Sequence, residues 1–216
     1  MEMFVSYILT AILSWCPPAS FYVPYGETET EATARLREIA EDIVEVAFDE
    51  AEPPVFAGDT GRLRTALLQA AIASKETSFQ RFVGDGSCNR RGYQADRRGN
   101  CDGGTAFSFW QIHIFGGGYV LMPDGSLSSR QYAGDFLKDH PEAVLTGADL
   151  IADRKKAVRI AQRIERQSLR VYHSLCAFSG EPCEGGRHPK ASARLDRAIE
   201  YWNAHPMNDT IRLASK

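Results

Sequence analysis

Apolar residues recur every three or four positions along several segments of the chain, which is the periodicity of an amphipathic helix. The clearest segment is 27–50, at whose start Thr28 and Glu31 have the spacing of a capping box. The same periodicity predicts further helices over about 59–78, 128–140, 148–175 and 190–204. Because no strands alternate with these helices, the chain is expected to be mainly α, with one small β element at most.

Two stretches break this helical pattern. Residues 84–105 are rich in glycine and charge without an apolar period, and a loop of that length in a compact domain usually has a function. A short apolar stretch over 106–113 follows the loop, and Pro123-Asp124-Gly125 is typical of a turn in a small hairpin. We therefore expect a helical body with a long loop and a hairpin beside it.

The chain begins with an apolar run from Phe4 to Trp15. Its length suits either the core of a signal peptide or a short helix that packs on the domain or docks to a partner, and no Lys or Arg precedes it. Residues 1–26 are therefore predicted to be an apolar arm or a signal segment, and 27–55 an amphipathic helix. No apolar run reaches the ~20 residues that a membrane span needs, so no stable span is expected.

Composition and charge exclude several classes of protein. The 216 residues are 44% hydrophobic and 25% charged, as in ordinary globular proteins, which excludes a disordered or collagen-like chain. The net charge of -3 lacks the basic excess of a nucleic-acid-binding protein, so no nucleic acid partner is predicted.

Four of the five cysteines form two close-spaced pairs, Cys88 with Cys101 and Cys176 with Cys183, and Cys16 is left over. Each pair brackets a loop rich in glycine and charge, and no histidine stands among them at zinc-finger spacing. The pattern therefore favours disulfides, and neither a metal nor another cofactor is predicted. Disulfides indicate an oxidising compartment, which fits a periplasmic, secreted or virion-associated protein.

Glu76 has the most unusual setting among the carboxylates. It follows the small apolar run 70–73 and lies in the last turn of a predicted helix. The negative end of the helix dipole disfavours a charged carboxylate there, and partial burial has the same effect. A carboxyl group that keeps its proton near neutral pH is what a glycosidase uses to protonate a leaving oxygen.

Three segments resemble, in order, the motifs of the lysozyme-like superfamily, chiefly the goose-type lysozymes and the soluble lytic transglycosylases. Glu76-Thr77 corresponds to their helix-terminal Glu-Ser, and Ser108-Phe109-Trp110-Gln111-Ile112 to their Gly-Leu-Met-Gln and aliphatic residue. Cys176-Ala177-Phe178-Ser179-Gly180 stands where they have Ala-Tyr-Asn-x-Gly after a long helix. The resemblance covers about 59–204 and implies that 56–216 is a lysozyme-like catalytic domain with an α+β fold, its active-site cleft beside the disulfide-stapled loop.

The chain departs from the family pattern at several positions. Ser108 replaces the motif glycine, and Phe178-Ser179 replaces Tyr-Asn. Goose-type lysozymes carry two aspartates near the motif glutamine, of which Asp102 matches one, while His113 stands at the position of the other. The missing aspartate favours the transglycosylase over the lysozyme.

The resemblance implies a peptidoglycan-cleaving glycosidase that acts on the β-1,4 bond between N-acetylmuramic acid and N-acetylglucosamine. In a lytic transglycosylase, Glu76 is the general acid and then the base while the muramic 6-hydroxyl forms a 1,6-anhydro end. In an inverting lysozyme, Asp102 also activates a water. The altered motifs keep open a third alternative, a non-catalytic structural or carbohydrate-binding module of an envelope or phage assembly.

The other predicted site residues are polar or aromatic groups of the motifs. Gln111 offers amide donors and acceptors for sugar hydroxyls, whereas the aromatic rings either stack on sugars or belong to the core. The hydroxyls of Thr77 and Ser108 either contact substrate or cap the backbone. Peptidoglycan strands are the implied partner, and the predicted substrate-binding set is Thr77, Ser108, Trp110, Gln111, His113, Phe178 and Ser179.

Overall fold

The computed structural model describes residues 1–21, 27–89, 105–114, 119–129, 133–167 and 189–207. These residues form eight α-helices and five short strands, so the protein is mainly helical, as predicted. The helices are α1 (Glu2–Trp15), α2 (Glu29–Phe48), α3 (Gly61–Glu76), α4 (Arg81–Gly84), α5 (Gly134–Asp139), α6 (Gly147–Ala152), α7 (Arg154–Gln167) and α8 (Pro189–Ala204). The strands are β1 (Ala106–Phe107), β2 (Ile112–His113), β3 (Tyr119–Leu121), β4 (Leu127–Ser129) and β5 (Val144–Leu145).

Helix α3 forms the centre of the molecule. Every residue from Thr65 to Ser74 is buried, and α1, α2, α7 and α8 all contact the helix. A helix that is enclosed by other helices needs small or apolar residues on every face, and most residues of this run are of that kind. Glu76 is the last residue of this buried helix, and its side chain is 11% exposed.

Helix α1 belongs to the same core. Val5, Ile8, Ala11 and Ile12 are buried, and the helix packs against α2 and α3. Its last turn is followed by Cys16, whose thiol is buried and free. None of the helices in the described part of the chain has the length and apolarity that crossing a membrane requires.

Two helix boundaries show how local sequence sets the fold. The predicted capping box at the start of α2 is confirmed, because Thr28 accepts from the Glu31 amide and Glu31 accepts from the Thr28 amide. The helix predicted over 148–175 is instead divided at Asp153 into α6 and α7, and residues 168–175 lie outside the described part. Asp153 Oδ1 accepts from the Lys156 amide at 2.9 Å, which is how an N-cap residue starts a new helix.

Helices α2 and α7 are joined by a ladder of ion pairs. Acidic residues of α2 and the loop after it face basic residues of α7 at successive turns, which joins two segments more than 100 positions apart. The pairs are Glu38 and Asp42 with Arg154, Glu45 with Lys155, Asp49 with Arg159, and Glu52 with Arg163 and Arg166. Glu52 is the most buried acid of this ladder, with a side chain that is 3% exposed.

The strands form two small antiparallel sheets, so the expectation of at most one small β element is wrong. β1 pairs with β2, with Ala106 opposite His113, and the second sheet has the order β4-β3-β5. Gly125 has a φ of 78° in the turn between β3 and β4, so the predicted hairpin around 123–125 is confirmed. Residues 128–129 belong to β4, and the helix predicted over 128–140 is the shorter α5.

Candidate functional site

Glu76 is bonded to Arg194 across the contact between α3 and α8. Both Nε and Nη2 of Arg194 contact Oε1 of Glu76, and the two side chains are 7% and 11% exposed. A guanidinium beside a carboxylate stabilises the charged form of the carboxylate. The contact therefore opposes the effects of burial and of the helix end, which favour the protonated form.

The backbone that follows Glu76 adopts a strained turn. Ser78 and Phe79 have φ values of 48° and 55°, in the left-handed region, although neither is glycine. The turn is held by Arg35, whose Nη1 donates to the Phe79 carbonyl at 2.6 Å, and by Thr77 Oγ1, which accepts from the Phe79 amide at 3.2 Å. Such strain persists only where the surroundings determine the conformation, and it is concentrated at functional sites.

A second strained turn joins β1 to β2. Ser108 and Gln111 have φ values of 64° and 46°, and the side-chain nitrogen of Gln111 donates to the Ser108 carbonyl at 3.1 Å. Across the described residues, every non-glycine residue with a positive φ lies in one of these two turns. The two turns coincide with the first and second motif segments of the sequence.

The structure brings these two turns together. Thr77 Oγ1 lies 3.2 Å from the carbonyl oxygen of Phe109, and the rings of Phe79 and Phe109 are 5.9 Å apart between centroids. Trp110 anchors the second turn to α3, because its indole nitrogen donates to the Gln69 carbonyl at 3.1 Å. The segment after Glu76 and the segment that carries Gln111 therefore form one unit.

Several predicted substrate-binding side chains are engaged inside this unit. Trp110 is fully buried, so its ring is part of the core in this structure and presents no face for a sugar. Thr77 and Ser108 are also buried, with hydroxyls bonded to nearby backbone. Gln111 is half-buried against its own turn, and His113 is half-buried on β2. Trp110 therefore packs in the core, and the hydroxyls of Thr77 and Ser108 bond the backbone.

The remaining predicted site residues lie outside the described part of the chain. They are Asp102, Phe178, Ser179, Cys101, Cys176 and Cys183. Cys88 lies within the described part and is disulfide-bonded. Cys16 is free, and the pairing of Cys88 with Cys101 stays a prediction.

A cleft of about 240 Å³ is lined in part by residues of the second turn. Its wall includes Ser108 and Phe109. The Phe109 ring packs directly on the backbone of Gly84, where a Cβ would lie only 2.1 Å from the ring. Glu76 and Gln111 do not line this cleft. Its polar lining is formed by Arg35, Glu38, Arg81, Asp85 and Arg154.

Sequence reasoning did not find Arg194, Arg35 or Glu27. Arg194 is 118 positions from Glu76, and Arg35 binds Glu27 with two bonds of 2.7 and 2.8 Å while it holds the turn at Phe79. No spacing in the sequence signals these contacts, because they depend on how the helices pack. Among the described residues, no group of three or more His, Cys, Asp or Glu side chains is placed to hold a metal ion.

No protein-family model, no curated protein and no solved structure matches this chain. The function therefore has to be argued from the residues themselves. The described site contains the carboxylate of Glu76, the guanidinium of Arg194 bonded to it, and the side-chain amide of Gln111 in the second turn. A carboxyl group held in one position is suited to giving or taking a proton there.

Proposed function

We propose that this protein is a peptidoglycan-cleaving glycosidase of lysozyme-like fold. It acts on the β-1,4 bond between N-acetylmuramic acid and N-acetylglucosamine as a lytic transglycosylase, with Glu76 as general acid and then base. The supporting observation is that Glu76 ends a buried helix and directly precedes a strained turn, which is bonded to the turn carrying Gln111. Each strained residue costs about 1–3 kcal/mol, a cost that functional sites commonly retain.

The proposed reaction needs a single carboxyl group. Protonated Glu76 gives its proton to the glycosidic oxygen as the bond to the muramic anomeric carbon breaks. The muramic 6-hydroxyl oxygen then bonds to that carbon, and the hydroxyl proton returns to Glu76. The products are a new N-acetylglucosamine end and a 1,6-anhydro muramic end, without a net change in the protons on the enzyme.

Arg194 places a condition on this mechanism. The acid step starts from protonated Glu76, whereas the guanidinium of Arg194 stabilises the charged carboxylate. The ion pair must therefore open, or be shared with the glycan, before the first step.

Two alternatives remain as competing proposals. An inverting lysozyme requires a second carboxylate about 6.5–9.5 Å from Glu76 to activate water, and Asp102 is the residue we assign to it. A non-catalytic structural or carbohydrate-binding module is favoured by two specific observations. Arg194 already occupies the Glu76 carboxylate, and Trp110 is buried rather than exposed to a sugar.

We further propose that Cys88 pairs with Cys101 and Cys176 with Cys183. Closing the first loop stabilises the fold by about 3 kcal/mol in the chain-entropy model. Such bonds place the protein in the periplasm, outside the cell or on a virion. Alkylation before and after reduction, followed by intact mass measurement, is expected to show four bonded cysteines and one free thiol at Cys16. Labelling of more than one cysteine in unfolded but unreduced protein would contradict these pairings.

The test is digestion of purified peptidoglycan by wild type, Glu76→Gln and a control, Glu200→Gln. Glu200 is an exposed glutamate of α8, so its substitution makes the same chemical change away from the site. We expect wild type and the control to release soluble muropeptides at similar rates. Glu76→Gln should lose at least ~100-fold, since general acid catalysis contributes at least that factor.

Each outcome separates the alternatives. Comparable activity of Glu76→Gln and wild type would show that Glu76 is not the acid. Failure of wild type to release muropeptides from several wall types, with its disulfides formed, would favour the non-catalytic module. Co-sedimentation with insoluble peptidoglycan would then distinguish a carbohydrate-binding module from a structural one.

A further inference from the structure

A group of buried polar side chains lies between α3 and α7, apart from the candidate site. Gln69 of α3 and Gln162 and Glu165 of α7 are each at most 1% exposed. The side-chain nitrogen of Gln69 donates to Oε2 of Glu165 at 3.0 Å, and that of Gln162 donates to the Pro53 carbonyl at 2.8 Å. These side chains therefore join the central helix to α7 and to the loop before α3.

Three oxygens in this group have no hydrogen-bond partner among the described residues. They are Oε1 of Gln69, Oε1 of Gln162 and Oε1 of Glu165. An ionised carboxylate and two amide oxygens are all acceptors, so the group contains more acceptors than donors. Buried polar atoms are normally bonded, and a single proton on Glu165 supplies a donor where donors are lacking.

The charged groups around Glu165 do not replace that proton. Arg166 is next to it on α7, but its Nη1 is bonded to Glu52 and to the Pro53 carbonyl. Glu52 itself takes Arg163 as its second partner, and Arg62 of α3 donates to backbone carbonyls of the same loop. Each of these cations already has partners, and the contact that Glu165 makes across the interface is with a neutral amide.

We propose that Glu165 forms a buried proton-binding site, in which the neutral carboxylic acid links α7 to α3 and donates its proton to an amide oxygen of Gln69 or Gln162. Burial raises the pKa of Glu165 well above its usual value, an effect that outweighs the hydrogen bond from Gln69 and the charge of Arg166. The proton is lost when the pH becomes high enough, and the neutral acid is then replaced by a buried carboxylate that has the Gln69 amide but no cation bonded to it. The site is thus a pH-sensitive contact between the helix that ends at Glu76 and the helix that leads to residues 168–188.

The sign of the pH effect follows from linkage. The unfolded chain loses the Glu165 proton near the ordinary value of 4.5, whereas the folded protein keeps it to a higher pH. Unfolding releases a proton between these two values, so the folding equilibrium constant falls about tenfold per pH unit in that window. The contribution is complete at lower pH and is lost as the pH rises through the folded value.

The experiment is urea unfolding of wild type, Glu165→Gln and Glu200→Gln at a series of pH values from 5 upward. We expect the ratio of the wild-type folding constant to that of Glu165→Gln to fall about tenfold per pH unit. Glu200→Gln is the control, because it makes the same chemical change at an exposed glutamate of α8, away from this interface and from Arg166. It should keep the wild-type slope.

A spectroscopic measurement tests the same proposal in the folded protein. As the pH rises above the ordinary value of 4.5 for a glutamate, wild type and Glu76→Gln should both keep an infrared band of a protonated carboxyl group that is absent in Glu165→Gln. If Glu165→Gln does not fold, Glu165→Met is a second neutral variant. Parallel pH profiles for wild type and the neutral variants, or the same carboxyl bands in wild type and Glu165→Gln above that pH, would overturn the proposal.

Discussion

Removal of the guanidinium from Arg194 is the perturbation that reports most directly on how Glu76 is held. Arg194 and Glu76 are 7% and 11% exposed, so Arg194→Met leaves a nearly buried carboxylate without this partner. Removal of one partner from a buried ion pair costs about 3–5 kcal/mol. Glu76 retains some contact with solvent and lies at the unfavourable end of the helix dipole, so we expect about 3 kcal/mol at pH 7.

A double-mutant cycle isolates the contact itself. Glu76→Gln keeps the shape of the side chain and an oxygen that accepts from Arg194, so it should cost about 1.5–3 kcal/mol, as for a hydrogen bond to a charged group. The combination of Glu76→Gln with Arg194→Met should cost at least about 1 kcal/mol less than the sum of the single changes.

Urea unfolding followed by circular dichroism measures all four proteins, with an unchanged m-value as the sign that the compared states are the same. A cost below about 0.5 kcal/mol for Arg194→Met, which is the range of an ordinary surface substitution, would refute this account of the contact. Strict additivity of the two changes would do the same.

Three further predictions follow from other described contacts. Burial alone would raise the pKa of Glu52, but the bonds from its two arginines lower that pKa overall. At a pH above the ordinary glutamate pKa of 4.5, Glu52→Gln should therefore reduce the free energy of unfolding by about 3–5 kcal/mol. The loss should become smaller as the pH falls, which urea unfolding at pH 7 and pH 3 would measure. Gly84→Ala should destabilise by about 1–3 kcal/mol and change the near-ultraviolet spectrum, because its Cβ would overlap the Phe109 ring; an unchanged spectrum and stability would contradict that close approach. Burial raises the pKa of the Cys16 thiol to about 11, because its effect outweighs the opposite effect of the nearby Arg197 charge. Alkylation of Cys16 at pH 8 should therefore be far slower in native than in urea-unfolded protein. Equal rates would be evidence against a buried thiol.

The elements that sequence patterns predicted best are those set by local contacts. The capping box of α2 depends on Thr28 and Glu31 alone, and the turn at Gly125 requires a residue that tolerates a positive φ. The helix predicted over about 59–78 puts Glu76 in its last turn, and α3 ends at Glu76. These features are recorded within a few neighbouring residues, so a linear pattern is enough to find them.

The features that were not predicted depend on contacts between distant segments. The break at Asp153 was missed because the apolar period continues through it, although an aspartate there can cap a new helix. Arg194 meets Glu76, and Glu165 meets Gln69, only once the helices have packed. The strained turns at Phe79 and Gln111 were also unexpected, because residues other than glycine rarely adopt a left-handed φ.

The measurement that tests the central claim most directly is mass spectrometry of the fragments that wild-type protein releases from peptidoglycan. We predict muropeptides with 1,6-anhydro muramic ends that are absent after treatment with Glu76→Gln. Reducing muramic ends would instead identify a hydrolase and make Asp102 the second carboxylate to test. Release of no glycan fragments by folded, disulfide-bonded protein would contradict the account of Glu76 as an acid and base.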